Sequence, residues 1–276
     1  MASSALGLHP LNVDFSWEPH SGPFRIVTAN QARDYDERGF FVLEDAIPAD
    51  VLDRLVAEID PLEEKMEAAL REAEGGKVFI ARADEITFTT HIVKRSDYVR
   101  AFVASALFRD LCADLIGPDV RLYWDQAVYK KPGTAAPFPW HQDNGYTYVE
   151  PQQYLTCWIA LTDATVDNGC PHVVPGIHRR GTLAHDYSDI GFVCVTDPPD
   201  VAAAPARAGS IVVFSSLTPH STGPNNTDST RKAYIVQFAP DGAVIVSYDE
   251  DGNLVREPAA DPKRQFPILI NGVAPV

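Results

Sequence analysis

The apolar positions of the chain change their period partway along. From Pro48 to about Glu74, residues Val51, Leu52, Leu55, Ile59, Leu62 and Met66 recur at helical spacing. Pro48-Ala49-Asp50 supplies a start signal and Gly75-Gly76 a stop, so this stretch predicts an amphipathic helix packed on the rest of the fold. A shorter helix is expected from Thr28 to Asp36, and another over Tyr98–Ile116 that buries Phe102, Leu107, Leu111 and Leu115 before Gly117-Pro118. Gly39–Leu43 reads as a short apolar strand. Lys77–Val93 mixes β-branched, aromatic and charged residues and reads as surface chain or the rim of a pocket. Beyond Val120 short β runs take over, at Arg121–Tyr129, Leu155–Leu161, His172–Val174, Phe192–Val195, Ser210–Phe214, Ala233–Phe238 and Ala243–Tyr248. Evenly spaced short strands predict a mainly β sandwich or barrel, here with helices packed outside. With no internal repeat and no long linker, one domain is expected over residues 1–276. Residues 1–25 form an irregular arm, and in the tail over 249–276 Phe266–Ile270 packs back on the body.

Composition narrows the function. Hydrophobic residues at 45% allow a substantial core, and a net charge of −15 disfavours a nucleic-acid backbone or an anionic membrane surface as partner. Cys112, Cys157, Cys170 and Cys194 are scattered without a CxxC pair, so reduced structural thiols are expected rather than a zinc site or a disulfide framework. Met1–Asp14 lacks the basic and apolar regions of a signal peptide, and no run reaches the roughly 18 apolar residues that cross a bilayer. These features together predict a soluble, cytoplasmic protein.

The candidate chemistry lies in the β half. In Pro139-Trp140-His141-Gln142-Asp143, an imidazole and a carboxylate stand two positions apart, which on an extended strand places them on one face. The strand Ala208–Phe214 leads into a loop presenting His220, and Arg231 follows eleven residues later at the start of another strand. Two histidines and one carboxylate that leave part of the coordination sphere open are the ligand set of non-haem Fe(II) oxygenases. A guanidinium near such a metal suits the distal carboxylate of an oxo-acid, which it can hold with two parallel hydrogen bonds. Gln126 shares a strand face with Trp124 and Val128 and is a candidate to face a bound cosubstrate or substrate.

The order of these pieces resembles the phytanoyl-CoA dioxygenase family of Fe(II)/2-oxoglutarate-dependent oxygenases. The resemblance runs through Trp140–Asp143, Trp158–Leu161, Asn168-Gly169-Cys170 to His178, Gly209–Phe214, His220–Asn226 and Arg231–Tyr234, and spans roughly residues 28–240. It implies a double-stranded β-helix, or jelly roll, with iron at one open end. It also implies His141, Asp143 and His220 as the iron ligands and Arg231 as the clamp on 2-oxoglutarate. Thr222 would support the same carboxylate and Trp158 would line the cosubstrate pocket. His172 and His178 are expected to be structural. The carboxylate at Asp143 occupies the position where halogenating relatives carry a small residue, so the expected outcome is hydroxylation or a related C–H oxidation, with O2 consumed and succinate and CO2 formed. Tyr146 and Phe79 are candidate substrate contacts, and a charge of −15 makes a coenzyme A thioester the less natural substrate. Two other classes stay open: a cupin-like metal isomerase or hydrolase built on the same ligands, and a silent binding module. Arg231 separates the first from the oxygenase, because only the oxygenase needs a cosubstrate clamp.

Overall fold

The computed structural model describes residues 6–275. Helix α1 (Ala29–Arg38) leads into β1 (Phe40–Leu43), and the long helix α2 (Ala49–Glu72) follows. Three strands come next, β2 (Lys77–Val78), β3 (Ala81–Arg82) and β4 (Ile86–Thr90), and then helices α3 (Asp97–Val103) and α4 (Ala106–Leu115). The β half opens with β5 (Val120–Lys130) and β6 (Phe138–His141), then the short helical turn α5 (Asp143–Tyr146), β7 (Val149–Glu150) and β8 (Leu155–Ala160). It continues through β9 (Pro171–Val173), β10 (Asp186–Ser188), β11 (Gly191–Val193), β12 (Ala202–Ala203), β13 (Ile211–Ser215) and β14 (His220–Thr222). The last strands are β15 (Arg231–Pro240), β16 (Val244–Tyr248), β17 (Leu254–Pro258) and β18 (Pro267–Leu269).

A large antiparallel sheet runs β1-β13-β8-β15-β5-β4-β3-β2, with β18 added on β5, and it faces a four-stranded sheet in the order β12-β9-β14-β6. This is the jelly roll expected from the resemblance. The central strands are buried on both faces, which is why they read in sequence as unbroken apolar runs rather than as alternation. Leu155, Cys157 and Ile159 of β8, with Ile211 and Val213 of β13 and Tyr234, Val236 and Phe238 of β15, pack towards α1–α4. Their neighbours Trp158, Ala160, Val212, Phe214, Ala233 and Ile235 point between the two sheets and meet Val173 and Cys170 there. The site is built in that second layer. The period-2 geometry of a strand divides each one between scaffold and site.

Four expectations about local structure need correction. The helix expected over Tyr98–Ile116 is two helices, because Ser105 leaves the helical conformation to begin α4, while the apolar spacing runs through the break undisturbed. Lys77–Val93 is not merely surface chain: β2, β3 and β4 extend the large sheet, and β4 pairs along β5 from Ile86↔Lys130 to Thr90↔Gln126. The polar tail contains β17, paired with β16, whereas β18 does pack back on the body as expected. His220 lies on a strand rather than a loop. Of the N-terminal arm, residues 1–5 lie outside the described residues. Residues 6–25 make an isolated bridge at Leu8↔Leu183 and otherwise run as irregular chain. All four cysteines are free thiols, and among the described residues no helix is long and apolar enough to cross a membrane.

Candidate active site

His141 ends β6 and His220 begins β14, and the two are direct partners in the antiparallel register of the small sheet. Their rings lie 4.1 Å apart between centroids. Each is fixed in the same way. His141 Nδ1 lies 2.8 Å from the carbonyl of Pro139, and His220 Nδ1 lies 3.0 Å from the carbonyl of Thr218. A ring that donates from Nδ1 to a carbonyl leaves its Nε2 lone pair free, which is the tautomer a metal requires. Burial holds the His141 imidazole well below its ordinary pKa, and the neighbouring His220 adds to the effect, so His141 is neutral and available.

Asp143 reaches the same point by a route the strand argument did not foresee. The chain leaves β6 at Gln142, and the carboxylate comes from the first residue of α5. Thr156 Oγ1 donates to Asp143 Oδ2 at 2.6 Å, leaving Oδ1 turned towards His220 Nε2 at 3.8 Å. One ligand atom from each of His141, Asp143 and His220 lies within 4.8 Å of the others, and among the described residues these three form the only such group.

The loop that carries them is pinned by fully buried amides. Gln142 donates to the carbonyls of Gly181 and Leu217 and accepts from Leu183 N, and Asn144 accepts from Val149 N and donates to Thr182 Oγ1. His185 accepts from Gln142 N at 2.9 Å while its own Nδ1 lies against the Leu183 carbonyl, and burial lowers its pKa to about 4. Its ring fills the space beside Gly145, where an added Cβ would come within 2.0–2.3 Å of three ring atoms. Sequence reasoning missed His185, because a histidine so far along the chain from every ligand carries no local signal.

Arg231 is 1% exposed. Its Nη1 donates to the Val128 carbonyl at 3.2 Å, its guanidinium carbon lies 5.2 Å from the Trp158 ring centroid, and Nε and Nη2 have no partner. Burial lowers its pKa to about 10. Two orphaned donors on a buried cation are costly unless something binds there. Lys130, also fully buried, donates to Thr222 O, Thr222 Oγ1 and Gly223 O. With its oxygen accepting from Lys130, the Thr222 hydroxyl is free to donate into the cavity. Burial, and then the charge of Arg231, lower the Lys130 pKa to about 7. Lys130 was overlooked although the signal was there, since Trp124, Gln126, Val128 and Lys130 alternate along one face of β5.

The triad and Arg231 open on one cavity of about 460 Å³. His141, Asp143, His220, Arg231, Thr222, Trp158, Gln126, Tyr146 and Phe79 all line it. His178 and His172 do not: His178 Nε2 lies 3.1 Å from the Asp36 carbonyl, and His172 Nδ1 lies 3.1 Å from the Cys170 carbonyl.

Comparison with known proteins accords with this geometry. Residues 35–233 match the family model described as phytanoyl-CoA dioxygenase. A methylphosphonate hydroxylase of Gimesia maris is 30% identical over 180 residues, which cover 62% of this chain and 65% of the relative, just under two thirds of its length. Among solved structures, the epimerase SnoN, in complex with Fe3+, alpha ketoglutarate and nogalamycin RO, superposes with a TM-score of 0.68 at 21% identity, covering 87% of this chain and 97% of SnoN. EvdO2 from Micromonospora carbonacea var. aurantiaca, complexed with 2-oxoglutarate, gives a TM-score of 0.60 at 26% identity, covering 87% of this chain and 97% of EvdO2.

Proposed function

The chain belongs to the phytanoyl-CoA dioxygenase family, and from that premise we propose that it is an Fe(II)- and 2-oxoglutarate-dependent oxygenase that oxidises an aliphatic C–H bond of a small molecule. His141, Asp143 and His220 hold the iron, and Arg231 holds the distal carboxylate of the oxo-acid. The observation that carries this reading is the Arg231 guanidinium, buried beside the triad with Nε and Nη2 unpartnered. A dianionic oxo-acid supplies what those donors lack, and the neutral-imidazole, carboxylate donor set suits Fe(II). When bound, iron and 2-oxoglutarate would supply the oxidising power, with O2 consumed and succinate and CO2 released.

The chain's own contribution is placement and exclusion of water. The Pro139 and Thr218 carbonyls aim the two imidazoles, and Thr156 leaves one carboxylate oxygen of Asp143 free. Thr222, oriented by Lys130, adds a hydroxyl donor beside Arg231, and Trp158 gives the cosubstrate a flat wall. Gln126 faces the same space from β5. An isomerase or hydrolase using the same three ligands would leave the free donors of Arg231 unexplained. The reading is tested by Asp143→Ala and His220→Ala, each of which should abolish succinate release and stoichiometric iron binding while the far-UV circular dichroism stays native. Turnover retained in either variant removes that residue from the ligand set.

A further inference from the structure

Beyond the triad and Arg231, the cavity meets its contents with rings and neutral polar groups. Phe88, Tyr123, Trp124, Tyr146 and Phe192 wall it, and Gln126 and Gln237 supply amide donors and acceptors. Among its described lining residues there is no lysine, Arg231 is the only arginine and Asp143 the only carboxylate. An anionic substrate reaching the metal would therefore shed its hydration against a wall with no free cation to receive it.

The rings continue to the surface. Phe79, 52% exposed, stacks on Tyr187, 60% exposed, with centroids 6.4 Å apart and planes 12° from parallel. Tyr187 meets Phe192 edge-on at 5.5 Å, Phe192 meets Tyr146 edge-on at 5.0 Å, and Tyr146 meets His141 edge-on at 5.2 Å. An unbroken aromatic path thus leads from solvent to a residue of the triad. Phe79 sits at φ 52°, a left-handed conformation that is rare for a bulky side chain and that glycine or asparagine would adopt at less cost. A strained and exposed ring paired with a second exposed ring on another hairpin is a binding surface more readily than a packing contact. Lys77 Nζ and Arg82 Nη2 both donate to the Asp189 carbonyl, at 2.7 and 3.0 Å, which ties this hairpin to the one carrying Tyr187.

We infer that the substrate is an uncharged, ring-bearing molecule with hydroxyl or carbonyl groups, guided by stacking along this path and oriented by Gln126 and Gln237. Coenzyme A thioesters and phosphonates, being anionic, fall outside this class. The inference rests on the oxygenase reading, and the test separates the two. Holoenzyme loaded with Fe(II) and 2-oxoglutarate without oxygen is first examined for its visible charge-transfer band, which reports the cosubstrate site alone. It is then titrated calorimetrically with flavanone, 1-naphthol and estrone, and with phytanoyl-CoA and methylphosphonate, and succinate release is measured in air with each. At least one neutral ring compound should bind and raise succinate release severalfold, whereas the two anions should do neither. Phe79→Ala and Tyr187→Ala should each weaken ring binding roughly fivefold, the size of a lost aromatic contact. A response to either anion, silence from all three ring compounds, or unchanged affinity in both variants overturns the inference. Ring binding without a charge-transfer band strikes instead at the oxygenase reading.

Discussion

Replacing Arg231 with methionine should damage cosubstrate binding and at the same time relieve the empty protein. The arginine is fully buried, makes one hydrogen bond to the Val128 carbonyl, and leaves two donors unpaired. Burial lowers its pKa to about 10, which corresponds to a desolvation cost on the order of 3 kcal/mol. Against that stand the bond to Val128 and the contact with Trp158, together about 1–2 kcal/mol. Arg231→Met, similar in length and uncharged, should therefore leave the protein without 2-oxoglutarate as stable as the parent or about 1–2 kcal/mol more stable. With 2-oxoglutarate the balance reverses. Two charge-assisted hydrogen bonds at roughly 1.5–3 kcal/mol each are lost, so affinity should fall by roughly 100-fold or more. The assay is urea unfolding with and without 2-oxoglutarate on the Fe(II)-loaded protein under argon. At a ligand concentration of about 100 times the parental Kd the parent should gain about 2.7 kcal/mol, and the variant at most about 0.4 kcal/mol. A variant destabilised by more than about 2 kcal/mol without ligand, yet still stabilised by 2-oxoglutarate like the parent, would make Arg231 a structural residue and refute the reasoning.

Other consequences follow from neighbouring contacts. Thr156→Val removes the donor to Asp143 Oδ2, and iron affinity, read by competition with a chelator, should fall by roughly 10–100-fold, as is usual when a ligand loses its supporting partner. Gly145→Ala drives a Cβ into the His185 ring, so chemical denaturation should show a loss of roughly 1–3 kcal/mol, with weaker iron binding because His185 accepts from Gln142 N. Acid should destabilise the fold through His178. Its pKa in the folded protein is lowered to about 4 by burial against an ordinary 6.5, so the unfolded chain takes up the proton first. Stability is full above pH 6.5 and falls towards pH 4, by at most about 3 kcal/mol for this ring. Urea midpoints for His178→Gln should vary less steeply over that interval, and an unchanged slope would clear His178 of the effect.

How far the sequence revealed the fold depended on whether each signal was local. The start of α2 at Pro48, its apolar stripe and the long central strands are dictated by neighbours a few positions away, and the structure bears them out closely. The break at Ser105 was hidden because apolar spacing persists across it. The strands β6 and β14 are three or four residues long, and they exist because they pair with each other across nearly eighty positions. No periodicity over so few residues can announce that. The triad was legible as a set of residue types in order, but its geometry was not: the two-residue spacing of His141 and Asp143 works through a strand end followed by a helical turn. Tertiary contacts such as those of His185 leave no trace in local pattern. Lys130 was legible on the same alternation that singled out Gln126, had the strand been carried one residue further.

The most direct test of the central claim is anaerobic titration of the Fe(II)-loaded protein with 2-oxoglutarate, followed by visible absorption. A weak metal-to-ligand charge-transfer band should appear, saturate with one equivalent of 2-oxoglutarate, need at least roughly 100-fold more in Arg231→Met, and be absent from His220→Ala. Stoichiometric iron binding without any such band would contradict the claim and would put a metal-dependent isomerase or hydrolase in its place.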